Sequence, residues 1–228
     1  MQQYFINKKI DINDEIELNE DVLYHLIKVL RKDSSYIFRI CDFDSKIYEA
    51  HLIDNKRCKI VRLLDENNEL KNNITCILCL IKSDKLELTI QKLVELGIKR
   101  IVLYKAVRSV LKIKDAKKID RFKKIVLEAA EQSHRNIIPE LVYVDKLNDL
   151  KQYLSKNNYI CYESENNIVD IKVDDSITYI IGPEGGFEDN EYQKLCNLGF
   201  ESISLGKRIL RAETAAIYMS SIIVSKSQ

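Results

Sequence analysis

Tyr179-Ile180-Ile181-Gly182-Pro183-Glu184-Gly185-Gly186-Phe187 is the stretch that decides the fold. The apolar run 177–181 reads as a buried strand, and the Gly- and Pro-bearing residues behind it read as a tight loop. The pattern returns at Ile203-Ser204-Leu205, followed by Gly206-Lys207-Arg208-Ile209-Leu210-Arg211-Ala212-Glu213-Thr214-Ala215. Four of the six glycines (Gly182, Gly185, Gly186, Gly206) and one of the two prolines fall in these two segments. Glycine permits positive φ and close backbone approach to a ligand. Each loop leads into a helical pattern, so the order is strand, loop, helix, twice. Loops at the carboxyl ends of parallel strands form the ligand crevice of an open α/β sheet. The expectation is one pocket built largely from main chain. Neither the dinucleotide fingerprint G-x-G-x-x-G nor a P-loop is present, which gives phosphate recognition little support.

Outward from that stretch, strands and helices alternate from residue 74 onward. The strand patterns are 74–81, 101–104, 141–144, 159–162, 177–181 and 202–205. The helical patterns are 84–96, 115–132, 147–154, 190–198 and 213–224, with Ser83 as a candidate N-cap and Gly97 as a C-terminal stop. Alternation of this kind argues an α/β domain with a mostly parallel sheet covered on both faces. Residues 65–73 are polar apart from Leu70 and mark the domain boundary, giving domains 1–70 and 71–228. The first domain is β-rich, with strand patterns at 3–6, 16–18, 35–40, 47–53 and 57–64 and a hairpin turn at 42–45. One helix interrupts it, beginning at Asn19 or Glu20, with Val22, Leu23, Leu26, Ile27 and Leu30 on its apolar face.

The two glycine loops, in this order, resemble the SPOUT methyltransferases, and most closely the bacterial family that methylates N3 of a uridine in 16S ribosomal RNA. Three further stretches carry the same resemblance. His25-Leu26-Ile27-Lys28-Val29-Leu30-Arg31 is similar to the family's N-terminal signature, although Asp33-Ser34-Ser35 stands where the family usually has Gly-Asp. Lys82-Ser83-Asp84 followed by Gln91-Lys92-Leu93-Val94-Glu95-Leu96-Gly97 is a second match. Glu128-Ala129-Ala130-Glu131-Gln132-Ser133-His134-Arg135 is a third. The resemblance implies a PUA-like β-barrel that helps hold RNA, then a trefoil-knotted SPOUT domain that binds S-adenosylmethionine and works as a homodimer. It places cofactor contacts at Ile181, Gly182, Pro183, Glu184, Gly185, Gly186, Leu205, Gly206, Ile209, Leu210 and Ala215, with a third loop after strand 159–162. The implied substrate is 16S ribosomal RNA, as naked RNA or within the small ribosomal subunit. His25, Arg31, Lys82 and Arg135 are the candidate RNA contacts.

Methyl transfer from a sulfonium needs donor and acceptor held in line, and neither an acid nor a metal. Uracil N3 must lose its proton, so a base must take it or a cation must stabilise the developing imide anion. Arg211, directly behind a cofactor loop, is the first candidate for the cation. Arg135 is the second, for orienting base or phosphate. Glu128, Glu184 and Glu213 remain open as bases. Glu213 also suits a helix N-terminus electrostatically. Other functions of the same residues would be methylation of transfer RNA or RNA binding without catalysis.

The chain of 228 residues is 46% apolar and 31% charged, the composition of a soluble globular protein. No apolar run approaches the ~20 residues that span a bilayer, and no signal-peptide pattern opens the sequence, so a cytoplasmic protein is expected. Six scattered cysteines read as buried thiols in a reducing compartment. Cys76 and Cys79 lie three apart within a strand pattern and read as structural, not as metal ligands. Net charge is +1, yet residues 82–135 carry 15 Lys and Arg against 7 Asp and Glu, a local +8. That excess is the footprint of a polyanion binder, or else a solvated helix face. The last helix has small and apolar residues over more than one stripe. Ala216 is therefore expected at a contact between two copies.

Overall fold

A computed structural model describes residues 1–33, 36–113, 115–162 and 171–227. The chain forms two compact units, one of residues 1–69 with 131–137, the other of residues 70–130 with 138–228.

The first unit is built on a five-stranded mixed sheet in the order β1-β3-β4-β5-β2. The strands are β1 (Gln3–Phe5), β2 (Glu15–Glu17), β3 (Ile37–Cys41), β4 (Ile47–Leu52) and β5 (Arg57–Leu64). β1 runs parallel to β3 and all other pairs are antiparallel. The sheet curls into a half-barrel around Phe38, Ile40, Ala50, Ile60 and Leu26, each fully buried. Asp42 and Lys46 close the β3–β4 turn, and Ser45 takes φ +63° there. The start of the 35–40 strand pattern and the Ser34-Ser35 turn lie outside the described residues.

The single helix expected in this unit is two segments. α1 (Glu20–Leu23) starts at Asn19, whose side chain accepts the Val22 N–H at 2.8 Å. The wider π-helical turn Tyr24–Val29 follows, with Leu30 N–H reaching back five residues to the His25 carbonyl at 2.9 Å. Arg31, at φ +52°, ends it. A 3.6-residue pattern does not distinguish the two windings over so short a run.

The second unit is a six-stranded parallel sheet in the order β11-β9-β10-β6-β7-β8. Its strands are β6 (Asn73–Cys79), β7 (Arg100–Tyr104), β8 (Glu140–Val144), β9 (Asn157–Cys161), β10 (Ser176–Ile181) and β11 (Glu201–Ile203). Central strands β6 and β10 pair in register from Ser176 and Asn73 to Ile181 and Leu78. Both are almost wholly buried, as expected for strands covered on two faces. The helices are α2 (Ser83–Glu95), α3 (Ala116–Gln132), α4 (Asp189–Asn197) and α5 (Ala212–Ser227).

Three local expectations change. Ser83 opens α2 and does not cap it; the cap position is Lys82, which makes no side-chain cap bond. The 147–154 helix is a 3-10 segment, Leu147–Tyr153. Its apolar residues Leu147, Leu150 and Tyr153 stand three apart, and at three residues per turn they share one face. Ala216 is fully buried within its own chain, because α5 packs on α2 and β10. A charge at Ala216 would therefore disturb folding, while Tyr218 stays exposed and Ile217 and Ile222 half-buried on the same helix.

The buried thiols of Cys41, Cys58 and Cys76 are each pushed up to about 12 by desolvation. At pH 8 only about one in 10⁴ of each is thiolate. Alkylation of the folded protein at these cysteines should therefore be slow and should accelerate in denaturant. Rapid labelling of Cys76 in the native protein would contradict its burial.

Candidate active site

The three strands β10, β9 and β11 lie side by side, and their carboxyl ends deliver three chain segments to one place. From β10 comes the turn 182–187. Gly186 has φ +65° and its N–H donates to the Pro183 carbonyl at 2.9 Å, which closes the turn. A Cβ on Gly182 would meet the Phe187 ring at 3.0 Å, and Phe187 is buried in the core. Glycine is thus required at Gly182 for packing, and at Gly186 it takes the left-handed conformation without the cost a side chain would add. The Glu184 carboxylate accepts the Lys82 backbone N–H at 3.0 Å, joining this turn to the start of α2.

From β11 comes the segment 204–211. Gly206 has φ +114°, with open space where a Cβ would stand. The Gly206 N–H donates to Ser204 Oγ at 3.3 Å. Ile209 is 83% exposed, unusual for so apolar a side chain. The segment ends where the Arg211 carbonyl accepts the Ala215 N–H at 2.8 Å, the first turn of α5. From β9 comes Tyr162, whose N–H donates to the Ile203 carbonyl at 3.1 Å and whose ring stacks on Tyr192 with centroids 4.3 Å apart.

These segments enclose a cavity of about 550 Å³. That volume falls within the range of small-molecule sites. Ile181, Leu205, Ile209, Leu210 and Val110 supply apolar wall. Lys82, Lys85, Lys207, Arg208 and Arg211 place positive charge around it, against the carboxylates of Glu184 and Glu213. Among the described residues no cluster of three or more His, Cys, Asp or Glu is arranged to hold a metal ion. No helix among them is long and apolar enough to cross a membrane.

A family profile described as an RNA methyltransferase domain matches residues 68–224. The ribosomal RNA small subunit methyltransferase E of Mesomycoplasma hyopneumoniae is 37% identical, over 96% of this chain and 97% of that one. Its namesake from Bacillus subtilis is 31% identical over 98% and 96%. The chain belongs to the ribosomal RNA small subunit methyltransferase E family. The family member from Neisseria gonorrhoeae, solved bound to S-adenosyl methionine, matches with a TM-score of 0.91 at 26% identity, over 99% of this chain and 98% of that one. A Legionella pneumophila methyltransferase in complex with the same cofactor matches at 0.89 and 28% identity, over 98% and 97%.

With the family established, the expected site residues can be placed. Ile181, Gly182, Pro183, Glu184, Gly186, Leu205, Gly206, Ile209, Leu210 and Ala215 all line the cavity, as do Arg211 and Lys82. Gly185 does not; its carbonyl accepts from the Arg108 guanidinium at 2.9 Å. Glu128 is 62% exposed on α3, 3.9 Å from Lys124, and is not part of the cavity wall. Arg135 belongs to the first unit. Its side chain is 3% exposed and bonds Glu69, whose Oε1 also accepts the Asn136 N–H at 3.0 Å. A buried guanidinium needs such a partner to offset its desolvation. Arg135 is thus held by Glu69 and is not among the residues that line the cavity. His25 Nδ1 is bonded to the Tyr4 hydroxyl at 2.8 Å, and Arg31 is exposed.

Lys85, Val110, Cys161, Tyr162, Ser204, Lys207, Arg208 and Ala212 also line the cavity without being among the residues expected from the sequence. Lys207 and Arg208 sit inside a motif already singled out, and Tyr162 ends a strand pattern. For Val110 no local signal exists. The third cofactor loop expected after strand 159–162 lies, beyond Tyr162, outside the described residues.

Proposed function

We propose that this chain transfers the methyl group of S-adenosylmethionine to N3 of a uridine in 16S ribosomal RNA. Family membership supports ribosomal RNA of the small subunit as the substrate. The N3 position rests on the resemblance of the two glycine loops. The observation that carries the reading is the cavity itself: three adjacent strand ends, two left-handed glycines and an exposed Ile209 form a cradle that a small amphipathic molecule would cover.

The residues present fit that cofactor. Backbone groups of 182–184 and 205–210 would hydrogen-bond a purine and a ribose, and Ile181, Ile209 and Leu210 would offer apolar cover. When bound, S-adenosylmethionine supplies a methyl carbon activated by its sulfonium. The protein's task is then to present uracil N3 in line and to manage its proton. Arg211 is the group proposed to stabilise the imide anion as the proton leaves. Of the three carboxylates considered as base, Glu128 stands apart from the cavity and Glu184 is engaged by Lys82. Glu213, in the first turn of α5, is therefore the better placed.

RNA is proposed to reach the site across the positively charged 82–135 segment and through His25, Arg31 and Lys82. Counterion release then predicts affinity falling steeply and log-linearly between 50 and 200 mM salt, by roughly 10³-fold if about six phosphates are contacted. A flat salt response would remove that surface from the RNA path. We further propose a cytoplasmic homodimer, the assembly that the resemblance implies. Light scattering should give twice the chain mass at assay concentration, and a fully active monomer would overturn it. The cofactor reading is tested by calorimetry without divalent ions. Binding is expected with a dissociation constant between about 1 µM and 1 mM, and none at saturation would sink it.

A further inference from the structure

The connection from β7 to α3 is not part of either glycine loop, yet it is fastened to one of them. Its first half is anchored from below. Glu191, on α4 and 4% exposed, accepts the Tyr104 hydroxyl at 2.8 Å and the Val107 N–H at 3.1 Å. A buried carboxylate satisfied by two donors from one short stretch fixes that stretch firmly. Burial together with Glu191 pushes the Tyr104 phenol far above its ordinary range, so it stays a donor at any working pH. Next in sequence comes Arg108. Its Nη1 donates to the Gly185 carbonyl at 2.9 Å. Its aliphatic stem lies across the same residue, because a Cβ built on Gly185 would stand 3.5 Å from Arg108 Cβ and 3.6 Å from Cδ. Two residues on, Val110 is part of the cavity wall although 68% exposed.

The peptide joining Gly185 to Gly186 is therefore held at both ends. Its carbonyl is taken by Arg108 and its N–H by the Pro183 carbonyl at 2.9 Å. A glycine-glycine peptide is otherwise the part of the turn most free to flip, since neither residue carries a Cβ to bias it. We infer that Arg108 is a positioning residue for the cofactor site: it locks the 185–186 peptide, and with it the left-handed Gly186 that lines the cavity. The inference rests on the cofactor reading above. Arg108 acts through the turn, with its guanidinium directed at protein backbone and not at the cavity.

A basic, exposed arginine beside an RNA enzyme's pocket has an obvious competing role, contact with the RNA phosphates. The two roles separate cleanly by which substrate loses affinity. Arg108→Ala should weaken S-adenosylmethionine about tenfold by calorimetry with no RNA present, the loss expected from one hydrogen bond to a charged donor. The KM for RNA should change less than about twofold, and the thermal midpoint of the protein without cofactor should fall by no more than the few degrees that one lost hydrogen bond accounts for. Added methylguanidinium should recover part of the cofactor affinity of Arg108→Ala, because the acceptor carbonyl is still there. Arg108→Lys, which keeps the charge but not the fork, should fall between wild type and Arg108→Ala. Wild-type cofactor affinity in Arg108→Ala, with a raised KM for RNA, would overturn the inference and leave an RNA contact. Failure of the wild-type protein itself to bind cofactor would instead overturn the cofactor reading.

Discussion

Gly206→Ala should raise the dissociation constant for S-adenosylmethionine at least about tenfold, while Gly199→Ala leaves it unchanged. The two glycines form a matched pair. Gly206 has φ +114° and Gly199 has φ +107°, and a Cβ on either would meet nothing within 4 Å. Neither substitution creates a clash, so each acts only through a backbone conformation that an L-residue resists by on the order of 1–3 kcal/mol. They differ in place. Gly206 lines the cavity, whereas Gly199 ends α4 and its N–H donates to the Cys196 carbonyl at 2.9 Å. At Gly206 the strain is relieved by moving the loop, which takes the binding groups of 205–210 with it. At Gly199 the same strain appears as a lowered thermal midpoint. Calorimetry and a melting curve on both variants read the difference. Equal loss of cofactor affinity in the two would mean that general destabilisation, and not the cavity, explains the effect.

Arg211→Ala should lower kcat by about 10²–10³, the loss seen when a preorganised donor to a developing anion is removed. Cofactor affinity should stay within about threefold, because the proposed cofactor contacts are apolar and backbone groups. Arg211 lies on the cavity wall at the entry to α5, two residues before Glu213. Arg211→Lys should recover part of the rate, since charge survives and the planar fork does not. Single-turnover methylation at saturating RNA measures the chemical step directly. A variant with wild-type single-turnover rate and only a raised KM for RNA would reduce Arg211 to a surface phosphate contact.

The parts of this site that sequence reveals are the parts made by main chain. Gly182, Gly186 and Gly206 are visible because a tight turn or a positive φ favours glycine, and in a chain with so few glycines they stand out. The alternation of β6 to β11 with helices is equally legible, since strands buried on both faces read as unbroken apolar runs. Side chains brought together by strand order are not legible. Val110 meets the glycine loops only because β7 lies two strands from β10. The pairing of Arg135 is hidden for a related reason. Its partner Glu69 lies in the polar 65–73 stretch, which reads as a linker. In the structure Glu66, Asn68 and Glu69 all bond the 134–136 backbone or side chains there. A polar composition says that a stretch is wet on average, not that its carboxylates are idle. Helix winding is the other loss. The π turn at Tyr24–Val29 and the 3-10 turn at Leu147–Tyr153 each depend on a single shifted backbone bond per turn, which side-chain periodicity over so few residues does not record.

The central claim is methylation of one uridine in small-subunit ribosomal RNA, and nucleotide-resolved mass mapping of that RNA tests it most directly. The RNA would come from a strain lacking the gene, and from the same strain carrying either the wild-type gene or Gly206→Ala. The account predicts one N3-methyluridine missing in the deletion strain, restored by the wild-type gene and restored poorly by Gly206→Ala. An unchanged methylation map in the deletion strain would contradict it.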